Sequence, residues 1–397
     1  MAPEGASARV EASPAARRRV FESGPVRVAV RCPSADDLRW LEEFLAPTFR
    51  PLPPGSAVDY TVEAVVDGDL YRRLLATRPA GDLPEVVTFV LDQSVMRAPW
   101  WGLTTAGQRV LADSVHEALY VVSGEVPRVQ VVAPAGGRLL RVAVMRIARE
   151  IAMARAWGPA GVALHAAAFS IGGRGVVVAG PKRSGKTSLL VHCLSASGAA
   201  YVSNDRVLVS LAGPVPVAQG MPAIVSLRHG TLALFPELAR TIVRRGYRAH
   251  LSIAECQAES VAPSGPSADG DARVSPAQLC RLLGVPMVAE ASVTALLLPR
   301  VDAGSPGIGW RRLPADEAAS RFETVVFAAG SDVRVSEVFR AGQGPASDLA
   351  GARVLWDRLV SRVPAFDCRF GPSAFDERPE SGVLRAIRDA LDASGPS

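Results

Sequence analysis

The sequence predicts a mixed α/β protein of two domains, the second built around a phosphate-binding loop. Three observations predict it. Short apolar runs of strand length recur between segments with helical spacing. The chain has 397 residues, which at about 150 residues per domain leaves room for two or three domains and a core needing no disulfide or metal staple. Gly180-Pro181-Lys182-Arg183-Ser184-Gly185-Lys186-Thr187 matches G-x-x-x-x-G-K-[ST] directly after a strand-like run.

The elements follow in order. Residues 1–25 are rich in Ala, Pro, Ser and Arg without periodicity and read as a disordered tail. Val26–Val30 alternates like a half-buried strand. Ser34 then opens a helix as N-cap, with an acidic N3 residue and Leu38, Leu41 and Leu45 as its apolar stripe. Tyr60–Val66, Val86–Leu91, Ala118–Val122 and Arg128–Val132 read as strands and Asp69–Ala76 as a helix, so residues 26–135 form an N-terminal mixed α/β domain with antiparallel strands, a substrate- or partner-binding unit. Residues 136–159 form a bridging helix: Leu140, Val144, Ile147, Ala148 and Ile151 line one face, while Arg141, Arg146 and Arg149 read as a solvated face. Residues 160–372 form the larger domain, with a Pro- and Gly-rich insertion over Ala258–Ala272 and a loop near Ala341–Ser347. Residues 373–397 are a polar tail with a short helix at Val383–Leu391.

Composition excludes several classes. Lys plus Arg number 44 and Asp plus Glu 39, a mild excess of +5, and aromatic residues are 6%. Neither supports a nucleic-acid partner. Cys32, Cys193, Cys256, Cys280 and Cys368 are scattered and form no C-x-x-C pair, which excludes a zinc ribbon, argues against a disulfide framework and points to a reducing cytoplasm. No apolar run is long enough to span a membrane. Arg18-Arg19-Val20-Phe21 opens like a twin-arginine signal, but Glu22-Ser23-Gly24-Pro25 supply no apolar region behind it.

The loop motif carries the chemistry. Gly180 and Gly185 allow a tight turn that aims several backbone N–H groups at phosphate oxygens, and the following helix adds its positive end. Pro181, Lys182, Arg183, Ser184 and Ser188 complete the phosphate cradle, Lys186 bridges the outer phosphates, and the Thr187 hydroxyl binds Mg2+. The strand before the loop is Val176–Ala179; the helix behind it carries Leu189, Leu190 and Leu194, with Gly198 as its cap. Ala200–Ser203 is the next strand of a βαβ unit, and its end places Asp205 beside Thr187 as a second metal ligand. Upstream, Leu164–Ile171, Gly172-Gly173-Arg174-Gly175 and the loop strand form a hairpin. With the turn centred between Gly173 and Arg174, His165 falls opposite Pro181 or Lys182, where it orients a hydroxyl or meets the outer phosphate. Arg206 and Arg228 are the candidates for neutralising transition-state charge. Lys182 and Arg183 either favour a triphosphate or face solvent, and solvent is the simpler reading. Arg244-Arg245-Gly246-Tyr247-Arg248 reads as a solvated helix end.

At three elements the sequence resembles the HPr kinase/phosphorylase catalytic domain and its relatives: Leu164-His165-Ala166, the Gly180–Thr187 loop, and Ser203-Asn204-Asp205-Arg206-Val207. The resemblance implies a P-loop catalytic domain related to phosphoenolpyruvate carboxykinase, preceded by a smaller mixed α/β domain, using ATP and Mg2+ and often oligomeric. It departs at Asn204, which stands where that family has the first Asp of a pair, taken to be the catalytic base. Phosphorolysis is therefore not expected, whereas a loose phosphoryl-transfer transition state still rewards positioning and charge neutralisation. The expected acceptor is a Ser or Thr hydroxyl of a peptide or protein, and the likeness to cluster-encoded relatives implies tailoring of a peptide natural product. The alternatives are a small-molecule kinase, and a nucleotide-binding regulatory or partner protein with little catalysis. No L-S-G-G-Q or N-K-x-D segment supports a transporter ATPase or a GTPase.

Overall fold

The computed structural model describes residues 17–89, 95–103, 108–123, 128–156, 160–258, 270–305, 307–326, 349–376 and 383–392. The chain divides into two compact mixed α/β units. The first holds residues 17–45 and 49–156, and the second holds 46–48 and the described residues from 160 onward.

The first unit contains strands β1 (Arg17–Ser23), β2 (Val26–Cys32), β3 (Arg50–Leu52), β4 (Tyr60–Val66), β5 (Glu85–Phe89), β6 (Val95–Gly102), β7 (Arg109–Asp113), β8 (Ala118–Val122) and β9 (Arg128–Ala133). They form one sheet in the order β3-β1-β2-β4-β9-β8-β7-β6-β5. Contrary to the antiparallel expectation, β2, β4 and β9 run parallel at its centre. The reason is that α1 (Ala35–Leu45) and α2 (Gly68–Ala76) lie in the connections that carry the chain from β2 and β4 onward. Ser34 Oγ accepts the Asp36 N–H at the start of α1, and Asp67 caps α2 by accepting from Leu70 N–H.

Two boundaries differ from expectation. The tail does not run to residue 25: Arg17–Ser23 is a strand, paired antiparallel with β2 across a turn at Gly24 and Pro25. Val20 and Phe21 are buried there, and the three preceding arginines conceal the strand in the sequence. Residues 1–16 lie outside the described residues. The helix α3 (Arg138–Ala156), expected as a bridge between the domains, belongs with the first unit, where it packs on β2, β4 and β9. Its arginines are not solvated either. Arg141, Arg146 and Arg149 are 2%, 8% and 5% exposed. Arg141 reaches Asp37 at 3.5 Å and lies over the Trp40 ring, while Arg146 meets Asp113 at 3.4 Å. Helical periodicity cannot reveal carboxylates supplied by α1 and β7.

The second unit contains β10 (Gly161–Ile171), β11 (Arg174–Ala179), β12 (Ala199–Ser203), β13 (Arg206–Ser210), β14 (Val217–Met221), β15 (Val225–Leu227), β16 (Ala272–Val274), β17 (Glu290–Val301), β18 (Ile308–Leu313) and β19 (Ala365–Phe370). The main order is β11-β10-β13-β14-β17-β19-β18, with β12 on β10; a further parallel pairing of β11 with β17 closes β11, β10, β13, β14 and β17 into a ring. The helices are α4 (Lys186–Leu194), α5 (His229–Leu234), α6 (Pro236–Arg245), α7 (Ile253–Ala258), α8 (Pro276–Leu283), α9 (Ala315–Ala319), α10 (Phe322–Val325), α11 (Leu349–Arg362) and α12 (Val383–Asp392).

Two apolar layers form on the strands. One holds Phe169, Val176, Leu189, Leu190, Leu194 and Phe370, on the side of α4 to α8. The other holds Leu164, Ala166, Val177, Leu298, Val325 and Trp356, on the side of α9 to α11. Residues 373–397 are not wholly a polar tail. Pro372–Phe375 form a 3-10 turn, and Ile387 of α12 is buried in the α4 layer. The bulk of the Ala258–Ala272 insertion and the loop at 341–347 lie outside the described residues.

Candidate functional site

The loop stands where three parallel strands end. β11, β17 and β19 run parallel and finish at Ala179, Val301 and Phe370. β12 and β11 are both antiparallel to β10, so β12 ends at the same edge. β12 is not adjacent to β11, as a simple βαβ unit would have it: β10 lies between them. Ligands of open α/β sheets gather at such carboxyl edges.

Residues Val176–Ala179 are fully buried because β11 is flanked by β10 and β17. The chain then turns through Gly180–Ser184 into α4. Gly185, at φ 93°, opens the helix; a Cβ there would lie 2.5 Å from Phe370 Cζ. No other residue fits both the turn and the ring. Arg183 also has positive φ, 69°, without that freedom. Pro181, Lys182 and Arg183 are exposed on the rim, whereas Ser184 is buried and its Oγ has no hydrogen-bond partner among the described residues.

Lys186 is the first residue of α4 and only 7% exposed. Its Nζ donates to the carbonyls of Gly180 and Pro181, both at 2.8 Å. Burial pushes its pKa down to about 8, against the opposing charge of Asp205. Thr187 is half-buried beside it. Ser188 Oγ pairs with Thr231 Oγ1 at 2.9 Å, tying α4 to α5. α4 ends at Leu194 with Ser195 as its cap, and Gly198 serves instead in the turn before β12.

The hairpin register is set by Ile171 opposite Arg174 and Ala166 opposite Ala179. The turn is therefore centred between Gly172 and Gly173, one residue earlier than expected, because both glycines take the positive φ that the turn requires. His165 consequently sits level with Gly180, whose N–H donates to its carbonyl at 3.4 Å. On its other side His165 pairs with Arg206 across β13. Its Nε2 lies 3.4 Å from Asp205 Oδ1, with the two side chains 29% and 28% exposed. Arg206 Nε lies 3.6 Å from the other carboxylate oxygen. Burial alone would raise the Asp205 carboxyl; the hydrogen bond and charge of His165, then Arg206 and Lys186, outweigh it and hold the group below the usual carboxylate range. Asp205 is thus an anion at neutral pH, facing a half-open edge.

Asn204 is buried and used structurally. Its Oδ1 accepts from Tyr201 Oη at 2.6 Å, and its Nδ2 donates to the Ile224 carbonyl at 3.2 Å. A carboxylate in its place would face that carbonyl without a proton to give. Arg228 is half-buried just before α5, one turn from Thr231.

Three further residues reach the loop without a signal in the sequence. A cleft of about 300 Å³ lies against Gly180–Ser184 and is also lined by Arg300, Arg321 and Asp367. Arg300 is recognisable only as a strand end, and Arg321 and Asp367 become neighbours of the loop only once the sheet order is known. Among the described residues no group of three or more His, Cys, Asp or Glu side chains could hold a metal by itself. Thr187 and Asp205 would supply two protein oxygens, which suits Mg2+ bound mainly by phosphate and water. No helix among the described residues is long and apolar enough to cross a membrane. No family model matches the chain, and no curated protein matches it either.

Proposed function

We propose that this protein is an ATP- and Mg2+-dependent kinase of the HPr-kinase, phosphoenolpyruvate-carboxykinase-related type, transferring a phosphoryl group to a hydroxyl of a peptide, protein or small molecule. The observation that carries the reading is the meeting of two separate chain segments: the Gly180–Thr187 loop with its buried Lys186, and the Ser203–Arg206 strand end with its ionised Asp205, joined through His165. The hairpin running straight into the loop supports the finer family assignment.

The residues divide the work as follows. Loop amides and the α4 N-terminus hold the phosphate chain. Lys186 exchanges its two loop carbonyls for phosphate oxygens, a favourable exchange because a buried ammonium gains from a full negative charge. Thr187 and Asp205 would hold Mg2+, which would supply charge neutralisation for the phosphoryl group when bound. Arg206 and His165 keep the Asp205 carboxylate ionised and oriented. With Asn204 committed to Tyr201 and Ile224, catalysis rests on positioning and charge rather than on a base at that position. The same commitment favours a second reading, a nucleotide-binding regulator that transfers nothing.

Calorimetry with Mg-ATP and Mg-GTP tests the first step. Binding is expected in the native protein, and Lys186→Ala should weaken it by about a hundredfold, the effect of truncating one partner of a buried charge pair. Absence of binding to either triphosphate overturns the reading. Binding without transfer to any hydroxyl acceptor selects the regulator.

A further inference from the structure

The cleft beside the loop has properties that the phosphate grip does not require. It lies in the second unit, between Gly180–Ser184, the end of β17 and α10. Its charged lining consists of Lys182, Arg183, Arg300 and Arg321 against one carboxylate, Asp367. Two buried polar atoms there have no hydrogen-bond partner among the described residues: Ser184 Oγ and Arg321 Nε. Ser184 is only 8% exposed, so its hydroxyl has little water to compensate it. Arg183 is held at φ 69°, an unfavourable conformation for a side chain with a Cβ, at the same rim.

The cleft also opens on a different face from the His165–Asp205 row. Leu298 and Val325 beside it belong to the apolar layer under α9 to α11. Leu164 and Ala166 belong to that layer too, so by strand alternation His165 between them faces the α4 side. The loop is therefore approached from two sides. One carries Lys186 and Asp205, and the other carries an excess of cations with unsatisfied donors.

We propose that this cleft binds the phosphoryl acceptor and selects one with an anionic group, carboxylate or phosphate, close to its hydroxyl. The inference rests on the kinase reading and names the substrate class of that site. Guanidinium groups recognise carboxylate and phosphate by paired hydrogen bonds, and orphaned donors in a concave site mark where a ligand's acceptor atoms go. An acidic peptide and a small hydroxy acid or phosphate ester share this chemistry.

The test saturates the protein with Mg2+ and a non-hydrolysable ATP analogue, then titrates it calorimetrically with three probes: inorganic phosphate, a capped peptide with serine between glutamates, and its glutamine counterpart. Phosphate and the glutamate peptide should bind, the glutamine peptide at least tenfold more weakly. Arg300→Gln and Arg321→Gln should each lower anion affinity about tenfold and leave nucleotide affinity within twofold. Binding of phosphate alone assigns a small anionic acceptor, whereas preference for the glutamate peptide assigns an acidic segment; both support the proposal. No anion binding to the saturated protein, or arginine variants that leave it unchanged, overturns the proposal. Loss of nucleotide affinity in parallel overturns it too, by making the cleft part of the nucleotide site. Should no nucleotide bind, the kinase reading falls alone. The cleft is then judged on phosphate titration of the free protein, where loss in Arg300→Gln supports it and indifference overturns it.

Discussion

Two polar clusters in this molecule use nearly the same residues to opposite ends. In the first unit Asp113 accepts from Tyr120 Oη and pairs with His116 Nδ1 at 2.8 Å and Arg146 at 3.4 Å. In the second, Asp205 meets His165 and Arg206 at 3.4 and 3.6 Å. Asp113 and His116 have no exposed side-chain surface, whereas Asp205 and His165 keep more than a quarter of theirs. Burial by itself would raise the Asp113 carboxyl, but His116, Arg146 and Tyr120 bring it down to about 2. The first cluster is short and buried, with His116 Nε2 lacking a hydrogen-bond partner among the described residues. The second has longer pairs, an open side, and a neighbouring lysine whose ammonium rests on backbone carbonyls. Similar chemistry is a strut where water is excluded and a candidate site where one side stays open.

The comparison breaks most sharply on removal of each carboxylate. Asp113→Ala should destabilise the protein by about 3–5 kcal/mol, the usual result of breaking a buried ion pair and stranding its partners. Nucleotide affinity should be unchanged in the fraction that remains folded. Urea unfolding measures the first and calorimetry at low denaturant the second. A loss below about 1 kcal/mol would show that the sealed cluster is not structural.

A buried histidine sharpens the same contrast. His192, in α4, is 2% exposed and lies edge-on to Phe375, with ring centroids 5.1 Å apart. Burial brings its pKa down to about 4. The fold therefore keeps it neutral while the unfolded chain takes up a proton near pH 6.5. Stability from this residue is intact above pH 6.5 and declines as pH falls toward 4, by about 3 kcal/mol in all. His192→Leu should flatten that part of the stability–pH profile, read by urea unfolding between pH 7 and 4. An unchanged slope would show that the ring is solvated.

What the sequence revealed and concealed follows from the range of each interaction. The loop was legible because its function depends on residues adjacent in the chain: Gly185 at its turn, Lys186 and Thr187 next. Asp205 and His165 were legible because strand ends and hairpin registers follow from local turns, although the His165 register shifted with the turn from Arg174 to Gly172-Gly173. The burial of Arg141 and Arg146 was hidden, since the carboxylates that permit it lie more than thirty residues away in α1 and β7. The strand Arg17–Ser23 was hidden by its own arginines. The cleft was hidden most completely, because Arg300, Arg321 and Asp367 meet the loop only through the order β11-β17-β19.

The smallest expected effect separates the two clusters by sign. Arg183 occupies left-handed backbone at φ 69° on the loop's exposed rim. Glycine takes that conformation without a Cβ penalty, so Arg183→Gly should relieve about 1 kcal/mol of strain, offset in part by the greater freedom of glycine in the unfolded chain. The net expectation is a protein slightly more stable than the native one that binds inorganic phosphate several-fold more weakly in the presence of nucleotide. In the sealed cluster no substitution should raise stability while lowering affinity, because nothing there is held against its own preference for the sake of a ligand. Stability unchanged or lower, with anion binding intact, would mean that Arg183 adopts its conformation only to pack the rim. The strain would then belong to the turn itself and not to what the turn presents.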